Sequence, residues 1–346
     1  MKALTQGIIP ERTYKTMRNA PAINVLQTLA KKDMKIMTDI NGDSEGIIHT
    51  TAKEEDIEIK IGHFPLVKVN PQSRKLLDIL LMKISEIAPY GKEATPEAIA
   101  RVFGITIRLD EFMSLFGLKH KDNAREQFRQ TAQTLMNIYV KIDYTIDRKK
   151  GKRTVKEHKH VDSYMFEATI ETRNLTEDTI RNSRTEFRFN ITVLEYLCNR
   201  FIMPANVKMF AVKSKDNPHS YNLIRRLTEY YNMNATATNE PVRISVRRLL
   251  EHCPEIPTPE EVKGQHYSQL IREPFERDMN ALEFDYGLIH WEYSHSKGSL
   301  ISQEELDNGA FEDWQNWYIT YYLPDYPVEK EKEVQKRKKE ASTPKK

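Results

Sequence analysis

The same order of elements is written twice in this chain. An amphipathic helix is followed by a short alternating strand, a short helix, a longer polar-faced helix and a hairpin pattern. In the first copy Ser73 to Ile87 carries Leu76, Leu77, Leu80, Leu81, Ile84 and Ile87 at helical spacing. Ile105–Leu109 alternates as a strand, Phe112, Leu115 and Phe116 mark a helix closed by Gly117, and Ala124, Phe128, Ala132 and Leu135 form the apolar stripe of the next. In the second copy Leu223, Ile224, Leu227 and Tyr231 mark a helix, Val242–Ser245 a strand and Val246–His252 a helix. Tyr267, Ile271, Phe275, Met279 and Leu282 mark the long third helix there. From Ile107 to Asn137 is 30 residues, and from Ile244 to Asn280 is 36, so the second copy carries a loop insertion at 254–264. Repetition of this kind constrains the fold more than any single motif.

Helix, strand, helix, turn, helix and hairpin is the order of a winged helix-turn-helix. The fold class expected is therefore α+β, with two tandem winged-helix domains at 63–203 and 204–301. Residues 1–62 are expected as an N-terminal extension that packs loosely or on a partner, with a short helix near Ile23–Leu29. Ser302 and Glu305 have capping-box spacing and open one last helix over 302–326, bearing Trp314, Trp317 and Tyr318. Residues 327–346, almost without apolar side chains, are expected as a disordered charged tail. Pro274 falls inside the third helix of the second copy and is expected to kink it.

With 39% hydrophobic residues the chain can build ordinary cores, and at 346 residues it divides more naturally into two domains than one. The net charge of +3 is small, so any attraction to a polyanion must come from local clustering of the 53 basic residues. Such a cluster is present: Arg148, Lys149, Lys150, Lys152, Arg153 and Lys156 place six cations within nine residues, at the turn after the first polar-faced helix. That hairpin is read as Ile138–Ile146 returning through Met165–Ile170. Phosphates are the natural companions of so dense a run. Reading of base edges needs matched donors and acceptors, as Arg, Gln and Asn provide. Candidates in the first copy are Lys119, Lys121, Arg125, Arg129, Gln130 and Gln133. In the second they are Lys263, Gln265, His266, Gln269 and Arg272 on the third helix and the turn before it, with Lys297 in the following turn. A solvated helix face explains any one glutamine, whereas two copies with hairpins favour double-stranded DNA as the partner of the set.

The sequence offers little to catalysis. Cys198 and Cys253 lack metal-ligand spacing and are expected as reduced, buried thiols; GxxxxGK[ST], HExxH and CxxC do not occur. No catalytic, cofactor-binding or metal-binding residue is assigned. A nickase built on His158, His160, Tyr230 and Tyr231 is a weaker alternative, because charged residues flank the histidines and Tyr231 lies on a buried stripe. No stretch approaches the ~18 apolar residues of a membrane span, and the start MKALTQGIIPERTYK lacks an apolar signal region, so a cytoplasmic protein is expected.

The string LIREPFERDMNAL, with SYNLIRRLTEYY and RISVRRLL before it, resembles the second winged-helix domain of theta-type plasmid replication initiators. SRKLLDILLMKISE and NAREQFRQTAQTLMNI are similar to the amino-terminal domain of initiators from mobile elements of Gram-positive bacteria. The resemblance spans about residues 65–300. It implies tandem winged helices that bind repeated origin sites, recruit a host helicase or its loader, and in some members form a homodimer. The chain departs from the pattern in its 254–264 loop and its aromatic 302–323 segment. A transcriptional repressor using the same modules is the alternative reading.

Overall fold

The computed structural model describes residues 14–28, 35–38, 44–52, 55–62, 70–90, 93–102, 104–150, 153–171, 184–213, 216–251, 253, 256–259, 261–262 and 266–328. The chain forms two compact units, divided between Met203 and Pro204, with Thr13–Lys15 joining the second. The charged tail lies outside the described residues from position 329 onward.

In the first unit, β1 (Tyr14–Arg18) leads to α1 (Pro21–Thr28) and to β2 (Lys35–Thr38), β3 (Ser44–Ala52) and β4 (Glu55–Ile61). The first winged-helix elements follow: α2 (Pro71–Ile87), α3 (Pro96–Ile99), β5 (Ile105–Arg108), α4 (Leu109–Phe116) and α5 (Lys121–Met136). Strands β6 (Ile138–Lys150), β7 (Arg153–Tyr164), β8 (Phe166–Glu171) and β9 (Arg184–Phe189) precede α6 (Ile191–Cys198), and β10 (Ile202–Asn206) spans the division between the units. Asn70 caps α2 by accepting from the Ser73 amide at 2.8 Å, and Pro71 occupies the first turn, where a missing N–H costs nothing. Gly117 ends α4 with φ of 64°, a left-handed conformation that favours glycine. Phe112 and Phe128 pack at 4.7 Å between ring centroids and so join α4 to α5.

Two expectations are corrected here. The first concerns the amino-terminal segment, which is integral to the unit. Sheet order is β2-β3-β4-β6-β7, and β4 registers Ile57 against Ile142, Ile59 against Val140 and Ile61 against Ile138, all buried. Without β4 the backbone edge of β6 would be left unpaired. The alternation in EDIEIKI is the period-two signal that reveals it. The second concerns the hairpin. Strand β6 returns through β7, whereas Phe166–Glu171 pairs with β9 in a separate sheet of order β5-β9-β8. The wing of this module is therefore β8–β9, and Arg148–Lys150 and Arg153 stand at the far end of the longer β6–β7 ladder. Charged residues such as Lys156, Glu157 and Lys159 hid β7 in the sequence, because among its described residues only Val161 is buried and little apolar alternation is left to read.

The second unit repeats the winged-helix order with α7 (Ser220–Asn234), β11 (Val242–Ser245), α8 (Val246–Leu250) and a long third helix. That helix enters through a π turn, Ser268–Arg272, continues as α9 (Glu273–Asn280) and leaves through a second π turn, Ala281–Asp285. Pro274 does not break it. The wider turn lets the Glu273 amide donate to the Ser268 carbonyl, so the proline ring is accommodated by a π turn rather than by a broken axis.

The 302–326 segment also departs from the single helix expected. Ser302 and Glu305 do form the capping box, but α10 (Gln303–Asn308) and α11 (Phe311–Gln315) are short. They lead into β13 (Tyr318–Tyr322), the central strand between β11 and β12 (His290–Ser294). The aromatic segment is thus the inside of this module's wing, and Trp314 is fully buried. Cys198 and Cys253 are both buried and unbridged. Among the described residues no helix is long and apolar enough to cross a membrane.

Lys75 lies inside α2 with its ammonium 4.9 Å from the Phe116 ring, and burial pushes its pKa down to about 7. Below pH 7 both folded and unfolded chains hold that proton; between about 7 and the unfolded value near ~10.4 only the unfolded chain does, so stability rises with pH. Lys75→Met is expected to be more stable than the natural chain at pH 6–7, the gap closing by ~1.4 kcal/mol per unit up to pH 10. Calorimetric melts of both proteins across that range check it; a gap that does not change with pH refutes it.

Candidate nucleic-acid interface

Each unit presents the outer face of its third helix to solvent. On α5 the buried stripe is Ala124, Phe128, Ala132 and Leu135, which leaves Arg129 and Gln130 exposed and Gln133 half-buried. These three share one acidic neighbour. Arg129 donates to both Glu126 carboxylate oxygens at 2.9 and 2.6 Å, Gln130 donates to it at 2.7 Å, and Arg129 also donates to Gln133 at 3.1 Å. Hydrogen bonds from Arg129 and Gln130 hold the Glu126 carboxyl below the usual carboxylate range. Exposed pairs of this kind are weak in water, so the donors are easily exchanged for another acceptor. Arg125 lies 3.9 Å from Asp122, and Lys119 is exposed. The side chains of Lys121, Arg148, Lys149, Lys150 and Arg153, and all of Lys152, fall outside the described residues. The backbone of 148–150 and 153 is strand, with Lys150 opposite Arg153.

On the third helix of the second unit Gln269 is exposed, and so is His266 just before it, held at φ of 58°. Lys263 and Gln265 lie outside the described residues, and Lys297 is exposed at the β12 turn. Arg272 is a correction. Its guanidinium meets Glu276 at 2.8 Å, donates to the Leu306 carbonyl at 3.1 Å and lies 5.7 Å from the Trp317 ring centroid. It ties the wing segment to the helix and is not free to meet a base. The same side of the helix is covered by Phe311, stacked on Tyr267 at 4.3 Å and 7°, and by Trp314, whose indole donates to Tyr293 at 2.8 Å. Tyr293 in turn donates to Glu276 at 2.9 Å.

The helix is fixed from within by Asp278, which has no exposed surface. Its carboxyl accepts from the His219 and Ser220 amides at 2.6 and 3.1 Å, while its carbonyl accepts from the Ser220 hydroxyl at 3.1 Å. The start of α7, which lacks a side-chain cap of its own, is thereby capped from the third helix.

Sequence reading missed Arg243, Arg247 and Arg248, all exposed. Arg247 and Arg248 stand on α8, the helix that crosses the phosphate backbone in docked helix-turn-helix modules, and RISVRRLL was the available signal. Arg243 donates to the Ser296 carbonyl at 3.0 Å and lies beside Gly298, whose φ of +95° favours glycine.

His158 and His160 are exposed on one face of β7, bonded to Thr145 and Asp143 at 3.3 and 2.7 Å. Tyr231 is fully buried, donates to the Glu240 carbonyl at 2.9 Å, and burial pushes its pKa up to about 12. A tyrosine nucleophile requires the opposite shift and access to the phosphodiester, so Tyr231 is unsuited to that role. Tyr230 sits 5.5 Å from the Arg248 guanidinium.

Residues 64–201 match the family model described as Initiator Replication protein, WH1. Over this stretch, less than half of its length, the chain is similar to the replication-initiator winged-helix family. The WH1 match begins before α2 and ends after α6, so it takes in both the β5-β9-β8 wing and the β6–β7 ribbon. Two solved structures are similar to the chain. The crystal structure of RctB domains 2–3 has 10% identity and a TM-score of 0.43, covering 88% of this chain and 98% of that one. A selenomethionine derivative of RctB domains 2 and 3 has 9% identity and a TM-score of 0.45, covering 88% and 99%. No curated protein matches the chain.

Asp278→Ala is expected to destabilise the second unit by about 2–4 kcal/mol, since it leaves two buried amides and the Arg277 guanidinium without their acceptor. Asp278→Asn, which keeps one acceptor, is expected to lose less. All three tryptophans (Trp291, Trp314, Trp317) lie in this unit, so denaturant titration by tryptophan fluorescence isolates its stability. Equal midpoints for Asp278→Ala and the natural chain would remove Asp278 as the anchor.

Proposed function

We propose that the chain is a non-enzymatic initiator of plasmid or mobile-element replication that binds repeated double-stranded origin sites through both winged-helix units. The observation that carries this reading is the pair of third helices, one per unit, each anchored by a buried stripe and each showing a polar outer face. The replication-initiator family of residues 64–201 supports the process, and the second unit supports the use of more than one reading head. In this proposal the third helices enter the major groove, and the cationic 148–153 tip and Arg247 and Arg248 meet phosphates. Recruitment of a host helicase or its loader and formation of a homodimer are parts of the same proposal, as is a cytoplasmic site of action.

If about eight cations touch phosphates, log K falls against log salt with a slope of about −7. Replacing Lys149, Lys150, Lys152 and Arg153 by alanine is expected to weaken binding to all duplexes and to flatten the slope by roughly 3 to 4. Fluorescence anisotropy with 30-bp duplexes at several salt concentrations measures this, and an unchanged slope removes the ribbon tip from the interface. Footprinting on DNA flanking the gene tests the role: protected direct repeats spaced by whole helical turns beside an AT-rich tract are expected. Protection of a lone promoter palindrome would favour a repressor instead.

A further inference from the structure

Glu273, on the outer face of the third helix of the second unit, works against attraction to a polyanion, and its surroundings leave that charge uncompensated. The side chain is exposed, between exposed Gln269 four residues before it and Arg277 four residues after. Arg277 would be its natural partner at that spacing. Instead both Nε and Nη2 of Arg277 lie 2.9 Å from the Asp278 carboxylate. Arg272, adjacent in sequence, is held by Glu276 and the Leu306 carbonyl. Among the described residues Glu273 has no ion pair.

Helix-dipole compensation is the ordinary reason for an acid at the start of a helix, but it does not apply here. Glu273 opens α9 only by geometry class. The backbone is already helical through Ser268–Arg272, and the Glu273 amide is bonded to the Ser268 carbonyl, so no free helix start faces the carboxyl group. A lone carboxylate at phosphate depth would cost affinity for every sequence. At base depth it meets a donor, and the cytosine N4 amino group is the major-groove donor a carboxylate accepts from.

We propose that Glu273 is a specificity-determining residue that accepts a hydrogen bond from the N4 amino group of one cytosine, one helical turn along from the base met by Gln269. This rests on the reading that the outer face of this helix enters a DNA major groove.

The test uses the full chain and duplexes selected from a random 30-bp library by the natural protein, by Glu273→Ala and by Glu273→Gln. The natural protein is expected to enrich cytosine at one position, and Glu273→Ala to lose about tenfold discrimination there while binding unrelated duplex as well or better. Glu273→Gln is expected to move the preference toward adenine, a change of base that a misfolded helix would not give. Replacing that cytosine by 2-pyrimidinone, which lacks the amino group, should weaken the natural protein by the same factor and leave Glu273→Ala unaffected. Retention of the cytosine preference by Glu273→Ala, or indifference of the natural protein to the missing amino group, overturns the inference while leaving DNA binding intact. If the natural protein enriches no sequence, the inference and the DNA-reading proposal fall together.

Discussion

The second unit depends on an acidic side chain taken wholly out of water. Burying Asp278 is costly unless its oxygens are fully engaged, and the start of α7 supplies the required donors: two backbone amides that no local side chain satisfies. Each group removes the other's penalty. Because Asp278 belongs to the third helix and the amides to the first, the bond fixes the rotation of one against the other. Once that rotation is set, Phe275 and Met279 must point inward and Gln269 and Glu273 outward. The wing closes the flank through Arg272, Glu276, Tyr293 and Trp314, so the helix is held from inside and from one side, and its remaining face is open.

The first unit handles helix ends with the opposite charge. Arg18 is buried and donates to the Ala88 and Pro89 carbonyls at 2.9 Å, and to the Leu197 carbonyl at 3.4 Å, at the ends of α2 and α6. Ala88 caps the C-terminus of α2 and Leu197 stands in the last turn of α6, where a cation is favoured. Glu55 similarly meets Arg200 at 2.8 Å and accepts from Tyr196 at 2.6 Å. Arg18 and Glu55 both come from the amino-terminal segment. That segment therefore completes the winged helix electrostatically as well as through the isoleucines of β4, which is why it cannot pack loosely.

Sequence periodicity revealed the helices because each buries one stripe: Ala124, Phe128, Ala132 and Leu135 are legible at 3.6-residue spacing, and so are Tyr267 to Leu282. The α+β winged-helix class followed from their order. What remained illegible was pairing. Nothing local distinguishes β7 from β8 as the partner of β6, since register is decided by long-range ladders. The aromatic segment was misread as one helix because Trp314 and Trp317 are three apart, a helical spacing, although α11 ends at Gln315 and Trp317 stands just before β13. Arg272 looked like a base reader for a related reason: it lies off the buried stripe, and only the folded wing shows that another segment covers it.

The two third helices differ in a way that bears on how labour would divide between them if both meet DNA. On α5 the acid and the donors occupy one patch, with Glu126 neutralising Arg129 and occupying Gln130. The pair is exposed and weak, so an incoming phosphate or guanine can displace the carboxylate at little cost, and the helix then adds a full positive charge. On the second helix both arginines are held by buried or half-buried partners and cannot be released without disturbing the fold. What that helix offers outward is an amide and a carboxyl group, which gain nothing from phosphates and discriminate among bases only when each finds its complement. Attraction would then come mainly from the first helix, the ribbon tip and α8, while discrimination would come mainly from the second helix. Such a division lets non-specific binding stay weak at the head that selects the sequence, because mismatched bases there leave a carboxylate desolvated and unpaired.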